Sequence, residues 1–464
     1  MAGRYKEYPE YKNTDIKFLK NIPIHWVTSK VRYISSFGRG LSITKADLQD
    51  SGVPCVSYGE VHSMFGFEVD PKRHLLKCVN EEYLKTSSYA LLSKGDFIFA
   101  DTSEDIDGSG NFTQLISDER VFAGYHTVIV RPNLKNHYRF IAYLFDSAEF
   151  RTQIQDAVKG VKVFSITQAI LKSADVWFPS YEEQQKIANF LDHETAKIDT
   201  LIAKQEKLIK LLKEKRQAVI SHAVTKGLNP DVRMKDSGVE WLGEVPEHWV
   251  VLKLKHLIQS LESGCSVNAA DTPAKTGEFG VLKTSCVYTR RFRVEENKTV
   301  LQEDLPRVKC PIRKGAIIIS RMNTPELVGA SALVNVDIDN IYLPDRLWQT
   351  NFNKSFDIEA EFLAYFMTVE GFRNQISLSA EGASSSMQNI AKEDYLAINA
   401  ILPQLKEQID IVNYIKKNEA KFLRLEAQVM NTIELLKERK TALISAAVTG
   451  KIDVRDWQPK GIQE

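Results

Sequence analysis

Lysine and arginine set among aromatic and small polar side chains are what a protein uses to grip phosphates and read base edges. The densest such segment is KTSCVYTRRFR, where Lys283, Arg290, Arg291 and Arg293 are interleaved with Tyr288 and Phe292. Its plainer reading is a solvated basic edge strand. A second candidate loop opens with Arg321-Met322-Asn323. A third, GASSSMQN, offers Ser384, Ser385 and Gln388 behind a glycine. Earlier in the chain the corresponding slots hold different side chains: SYGEV with Tyr58, ADTSEDIDGSGNF with Thr102 and Ser103, and KGVKVFS with Lys159 and Lys162. The second of these is acidic and suits phosphates poorly, so part of it is expected only to support its neighbours.

Catalytic chemistry has no such foothold. The sequence lacks a GxxxxGK[ST] phosphate loop, GxGxxG, the [DN]PP[YF] quartet of amino-methyltransferases, HExxH and GxSxG, and no ExK follows Pro230-Asp231 to complete a nuclease pattern. His25 and His248 recur beside tryptophan, but no partner recurs with them, which makes His-Trp a structural unit. No catalytic residue and no metal site are expected.

The composition fits a soluble globular protein, 43% hydrophobic and 26% charged. The 61 basic and 60 acidic side chains leave a net charge of +1, so any nucleic-acid contact must rest on local basic faces. Five cysteines, with no CxxC spacing, point to reduced thiols in a cytoplasm. The N-terminus has no apolar segment of signal-peptide type, and no apolar run approaches the roughly 20 residues that span a bilayer.

The elements that must position the candidate loops occur twice. KNTDIKFLKNIPIHW from Lys12 answers KDSGVEWLGEVPEHW from Lys235, KGDFIFA answers KGAIIIS, and FIAYLF answers FLAYFM. Pro179 followed by Glu183-Gln184 answers Pro403 followed by Glu407-Gln408, and LLKEKRQAVISHAVT answers LLKERKTALISAAVT. Order and spacing are kept. The helices stay alike between copies while the candidate loops diverge, as expected of one scaffold reading two different targets.

Each copy has two parts. The first mixes strand-like runs (DFIFA, HTVIVRP, DVWFP; AIIIS, SALVNV, AINAILP) with short helices, an α+β domain of roughly 170 residues. The second is a proline-free helix of about 40 residues, or about 60 Å, with Ser180 and Glu183 as a capping box. Leu191, Ile198, Gln205, Leu212 and Val219 recur every seventh residue, as do Ile415, Phe422, Val429, Leu436 and Leu443. Two such stripes in one chain can bury each other, antiparallel if the copies are related by a pseudo-two-fold. The organisation read from the sequence is an N-terminal arm and first domain over 1–180, a long helix over 181–226 and a linker over 227–237. A second domain over 238–403, a second helix over 404–450 and an extended tail over 451–464 complete it.

Two variable domains, each ending in a strand, a proline and Glu-Gln at the mouth of a long helix that closes in ISHAVT or ISAAVT, resemble the specificity subunit of type I restriction–modification systems. The resemblance runs from about Lys12 to Asp453. It implies two homologous α/β target recognition domains, each reading half of a bipartite site in double-stranded DNA. It also implies an antiparallel coiled coil that sets the unread gap and docks two modification subunits. The expected cofactors lie elsewhere: S-adenosylmethionine in the adenine-methylating modification subunits, ATP and Mg in the restriction (translocase) subunits. The competing classes are a stand-alone pseudo-dimeric DNA-binding regulator, a protein scaffold and a fused methyltransferase, the last disfavoured by the absent motifs.

Overall fold

A computed structural model describes residues 5–133, 135–158, 163–384 and 387–459, with the backbone alone for 381–384. The chain forms two compact units, and they do not follow sequence order. One comprises residues up to Glu206 together with those from Met430 onward; the other is Lys207–Val429. Each unit therefore holds one globular domain, half of the first long helix (Tyr181–Lys226) and half of the second (Leu405–Val448). The helices are 46 and 44 residues long; the first has the bounds read from the sequence and the second ends slightly inside them.

In the first unit a five-stranded sheet runs in the order Ser35–Arg39, Thr127–Pro132, Phe97–Ala100, Phe112–Leu115, Phe67–Val69. Phe97, Phe99, Phe112 and Val130 face a core shared with the helices Tyr138–Asp146 and Ala148–Ala157. Ile98, Ala100 and Ile129 face the opposite side, where a four-stranded sheet closes a second core. That alternation is the period-2 pattern of DFIFA buried on both faces. The second unit repeats the plan. Ile258–Glu262, Leu347–Phe352, Ile317–Ser320 and Ser331–Leu333 form one sheet, packed on helices Ala360–Phe366 and Glu370–Ser379.

The long helices pack on each other within each unit. In the first unit Leu191, Ile198, Leu443 and Ile444 share one core, and Lys440 Nζ lies 2.7 Å from Asp199 Oδ1. Lys186, earlier on the first helix, reaches Arg455 beyond the end of the second, so the two run antiparallel there. In the second unit Ile220, Ala223 and Val224 share a core with Ile411, Val412 and Ile415. Leu191, Ile198, Ile415, Val429 and Leu443 are buried and Leu212, Val219, Phe422 and Leu436 half-buried. By contrast Leu201, Leu208 and Leu425, which lie off these two stripes, are exposed.

Three expectations need correction. Glu183 does not close a capping box on Ser180; its carboxylate is taken by three side-chain donors described below. The tail, expected only as an extended arm, is docked: Ile452 and Val454 are buried, Trp457 packs edge-on against Phe190 at 5.4 Å, and Asp453 N–H donates to Lys6 O. The expected linker contains the strand Met234–Asp236, paired with Glu244–Pro246. Gly227 and Gly450, at φ +79° and +72°, end the two helices in the left-handed region that glycine tolerates.

Candidate nucleic-acid interface

The Glu-Gln pair at each helix mouth fixes the domain to the helix. Glu183 accepts from Tyr8 Oη at 2.7 Å, Trp26 Nε1 at 3.0 Å and His25 Nε2 at 2.9 Å. Burial, then the hydrogen bond to Glu183, pushes the Tyr8 hydroxyl far above its usual range. Gln184 donates to Pro179 O and accepts from His137 N–H. In the second copy Glu407 accepts from Trp249 Nε1 at 3.0 Å and His248 Nε2 at 2.8 Å, while Gln408 donates to Pro403 O and accepts from Glu359 N–H. The His-Trp and Glu-Gln motifs, far apart in sequence, are thus one clamp made twice.

On these fixed domains the candidate residues divide into two groups. In the second unit the strand Met322–Asn323 pairs with Met387–Asn389, setting Asn323 opposite Gln388. Asn323 Nδ2 donates to Tyr288 Oη at 2.8 Å, and Tyr288 Oη is also 2.8 Å from Thr284 Oγ1. Tyr288, Asn323 and Gln388 are therefore brought together, with Arg321 immediately ahead of the paired strand. Asn323 itself is buried and acts through its neighbours; Gln388 Oε1 and Arg321 Nε are buried without a partner. The backbone of Ser384 lies on the third strand of this small sheet. Ser385, Lys159 and Lys162 lie outside the described residues.

The basic run 283–293 is broken up by the fold. It is a 3-10 turn (Thr284–Val287) followed by loop, not an edge strand. Lys283 pairs with Asp271 at 3.0 Å, and Arg293 donates to Ser285 O and faces Glu296. Arg290 and Arg291 line a cleft against the two long helices, Arg291 being 3.9 Å from Glu419. Sequence proximity had placed all of these beside Tyr288; the left-handed backbone at Arg290 (φ +61°) turns the chain inward there instead.

The first unit has the same small sheet with other side chains: Thr102 pairs with Ser165 and Ser103 with Phe164. Ser103 is buried, and the exposed acidic loop behind it is held by Asp105 Oδ1 accepting Gly108 N–H. Tyr58 stands half-buried beside Tyr125 and His126, ring centroids 5.7 and 5.3 Å away. His126 Nδ1 lies 3.2 Å from Asp101 Oδ1, which also accepts from Thr102 Oγ1 at 2.7 Å. His62 Nε2 is 2.8 Å from Thr102 O, and its Nδ1 is 3.0 Å from Asn111 Nδ2. His62, Tyr125, His126 and Asn111 were missed because isolated residues on separate segments show no common signal until the strands bring them together. Among the described residues no cluster of three or more His, Cys, Asp or Glu is placed to hold a metal, and no helix is long and apolar enough to cross a membrane.

The family model described as "Type I restriction modification DNA specificity domain" matches twice, over residues 23–211 and 246–435. The chain belongs to this family. Each match begins just ahead of a His-Trp pair and runs into a long helix, so the duplicated clamp sits inside the duplicated family domain. Family relatives include the EcoKI specificity subunit of Escherichia coli strain K12, 24% identical over 94% of this chain and 91% of that protein. Another is the MjaVIII specificity subunit of Methanocaldococcus jannaschii, 25% identical over 71% of this chain and 74% of that protein. A solved chain from a study of complex assembly and conformational transition of the type I R-M system shares the fold, with a TM-score of 0.65 at 15% identity over 93% of this chain and 99% of that one.

Proposed function

We propose that this chain is the DNA-sequence-specificity subunit of a type I restriction–modification complex. Each family domain reads one half of a split site in double-stranded DNA. The observation that carries the reading is the duplicated clamp presenting unlike side chains at one structural position: Thr102 and Ser103 in the first copy, Met322 and Asn323 in the second. Base discrimination of roughly 1–3 kcal/mol per good bidentate contact would let three or four contacts per domain define a short half-site. The long helices set how many base pairs go unread between the halves, and with the domain edges they dock two modification subunits. The chain itself is non-catalytic. S-adenosylmethionine belongs to the modification subunits, ATP and Mg to restriction subunits that join them.

The test is an exchange of residues 235–403 for the same segment of a relative of different specificity, co-expressed with the modification subunit and read by methylome sequencing. One half of the methylated site should change and the other remain. A change in both halves, or in neither, would refute the assignment.

A further inference from the structure

Both units contain a cleft between the globular domain and the long helices, built from equivalent positions. In the first, Tyr143 Oη donates to Asp192 at 2.6 Å, Arg139 pairs with Asp192 at 2.7 Å and with Glu68 at 2.7 Å, and Lys440 pairs with Asp199. In the second, Tyr365 Oη donates to Glu419 at 2.8 Å, Lys416 pairs with Glu361 at 2.5 Å and Arg216 lies 3.8 Å from Glu426. The Arg139–Asp192 pair has become Glu361–Lys416, its charges exchanged.

The inner wall of the two clefts differs more. In the first unit Phe67, a residue with left-handed backbone (φ +75°), fills it against Phe112 and Tyr143, with centroids 6.1 and 4.9 Å away. In the second the left-handed residue is Arg290 (φ +61°), and the residue answering Phe112 is Ser331. Phe112 stands opposite Phe99 in the sheet, and Ser331 stands opposite Ile319. Two aromatic rings have been replaced by a guanidinium and a hydroxyl, and a cleft of about 500 Å³ opens there.

These polar groups have no protein partner. Ser331 is 1% exposed and its Oγ makes no hydrogen bond. Arg290 Nη1 is buried and unbonded, and Arg290 forms no ion pair among the described residues, although Arg216, Arg291 and Lys416 around the same cleft each face a carboxylate. Behind it stands Arg373, whose Nη2 donates to Glu326 O and Val328 O while its Nη1 is left unbonded. Burial first and Arg290 second lower the Arg373 guanidinium to about 10, and burial lowers Arg290. Two desolvated guanidiniums with no counter-charge are costly unless an anion completes the site. The fork of donors on arginine with a nearby hydroxyl suits the tetrahedral oxygens of phosphate.

We propose that the cleft of the second unit binds a phosphate-bearing small molecule, held by Arg290 and Ser331 with Arg373 behind them. Its volume is in the range of small-ligand pockets, roughly 300–1,000 Å³. The pair of Arg290 and Ser331 is particular to the second copy, because Phe67 and Phe112 stand at the corresponding wall of the first unit's cleft.

The full-length chain is titrated with inorganic phosphate by calorimetry at fixed ionic strength, with chloride as control. Saturable binding is expected. Arg290→Gln should weaken it at least tenfold and Ser331→Ala three- to tenfold, with near-UV circular dichroism unchanged. Ser331→Phe, which restores the aromatic wall of the first copy, should abolish it. Absence of phosphate binding, or binding indifferent to Ser331→Ala, overturns the site. Repeating the titration with saturating target duplex separates the two sources of phosphate: binding that persists supports a free ligand, whereas competition by DNA assigns the site to a backbone phosphate and overturns the small-molecule reading.

Discussion

Replacing Glu183 by alanine tests the clamp where it is most deeply buried. The carboxylate is the acceptor for Tyr8 Oη and Trp26 Nε1, on residues 3% and 0% exposed. Its removal strands both donors away from water. A stranded buried donor costs about 1–3 kcal/mol, so the two together should cost about 3–5 kcal/mol. Glu407 serves as the internal control. It holds one fully buried donor, Trp249, and its own side chain is 27% exposed where that of Glu183 is 8% exposed. Water can replace part of what Glu407 supplies, and Glu407→Ala should cost about 1–2 kcal/mol. Thermal unfolding followed by tryptophan fluorescence reads the contrast. At about 2–4 °C per kcal/mol for units of this size, Glu183→Ala should lower the transition of the first unit by about 6–20 °C. Glu407→Ala should lower that of the second by less than half as much. Glu183→Gln, which keeps one acceptor oxygen, should fall between wild type and alanine. Equal losses for the two alanine variants, or a loss under about 1 kcal/mol for Glu183→Ala, would refute the clamp as the joint between domain and helix.

Asp146 gives a pH prediction. Burial pushes its carboxyl up to about 6, against the opposing pull of Arg151 and Lys440. The folded form holds this proton more tightly than the unfolded one, so its contribution to stability is present below about pH 4 and is lost as the pH rises through 6. Asp146→Asn should therefore stabilise the first unit by about 1–2 kcal/mol at pH 8, allowing for water in the cleft, and by nothing at pH 4; equal effects at both pH values in denaturant melts would rule this out. If Gln388 reads a base edge, as proposed, Gln388→Ala should weaken binding to the cognate duplex about tenfold while leaving the slope of log affinity against log salt unchanged, since no phosphate contact is lost; a changed salt slope in fluorescence anisotropy would contradict that role. Leu443→Ala, at a site 3% exposed, should cost about 2–4 kcal/mol, and Leu435→Ala, 56% exposed, under about 0.5 kcal/mol; equilibrium unfolding that ranks them otherwise would break the seven-residue register.

Residues whose neighbours are near in sequence were legible. DFIFA, HTVIVRP and AIIIS are strands because their alternation is local, and Leu191 to Val219 form one stripe, buried at Leu191 and Ile198 and half-buried beyond, because helical period and spacing agree. The duplication located the clamp residues but not their bonding. Ser180 and Glu183 have capping-box spacing, yet Tyr8, His25 and Trp26 claim the carboxylate from some 160–175 residues away, a competition no local pattern displays. The basic run misled for a related reason. Arg290 and Arg291 look like companions of Tyr288, but one positive φ sends them to a different face, and only the paired strands show that Tyr288 belongs with Asn323 and Gln388. The tail's packing is not legible locally because its partners, Lys6, Lys186 and Phe190, lie far earlier in the chain, at the N-terminus and on the first long helix.

The pairing of Lys6 with Asp453 has a consequence for biosynthesis. The second unit is one uninterrupted stretch of sequence, whereas the first is split around it and needs residues from Met430 onward. A nascent chain leaving the ribosome can therefore complete the later domain while the earlier one still waits for the final helix and for Ile452, Val454 and Trp457. A stalled or truncated product would keep a finished second unit beside an unfinished first one, whose apolar surfaces around Trp26, Trp177 and Phe190 stay uncovered and invite chaperones or proteases.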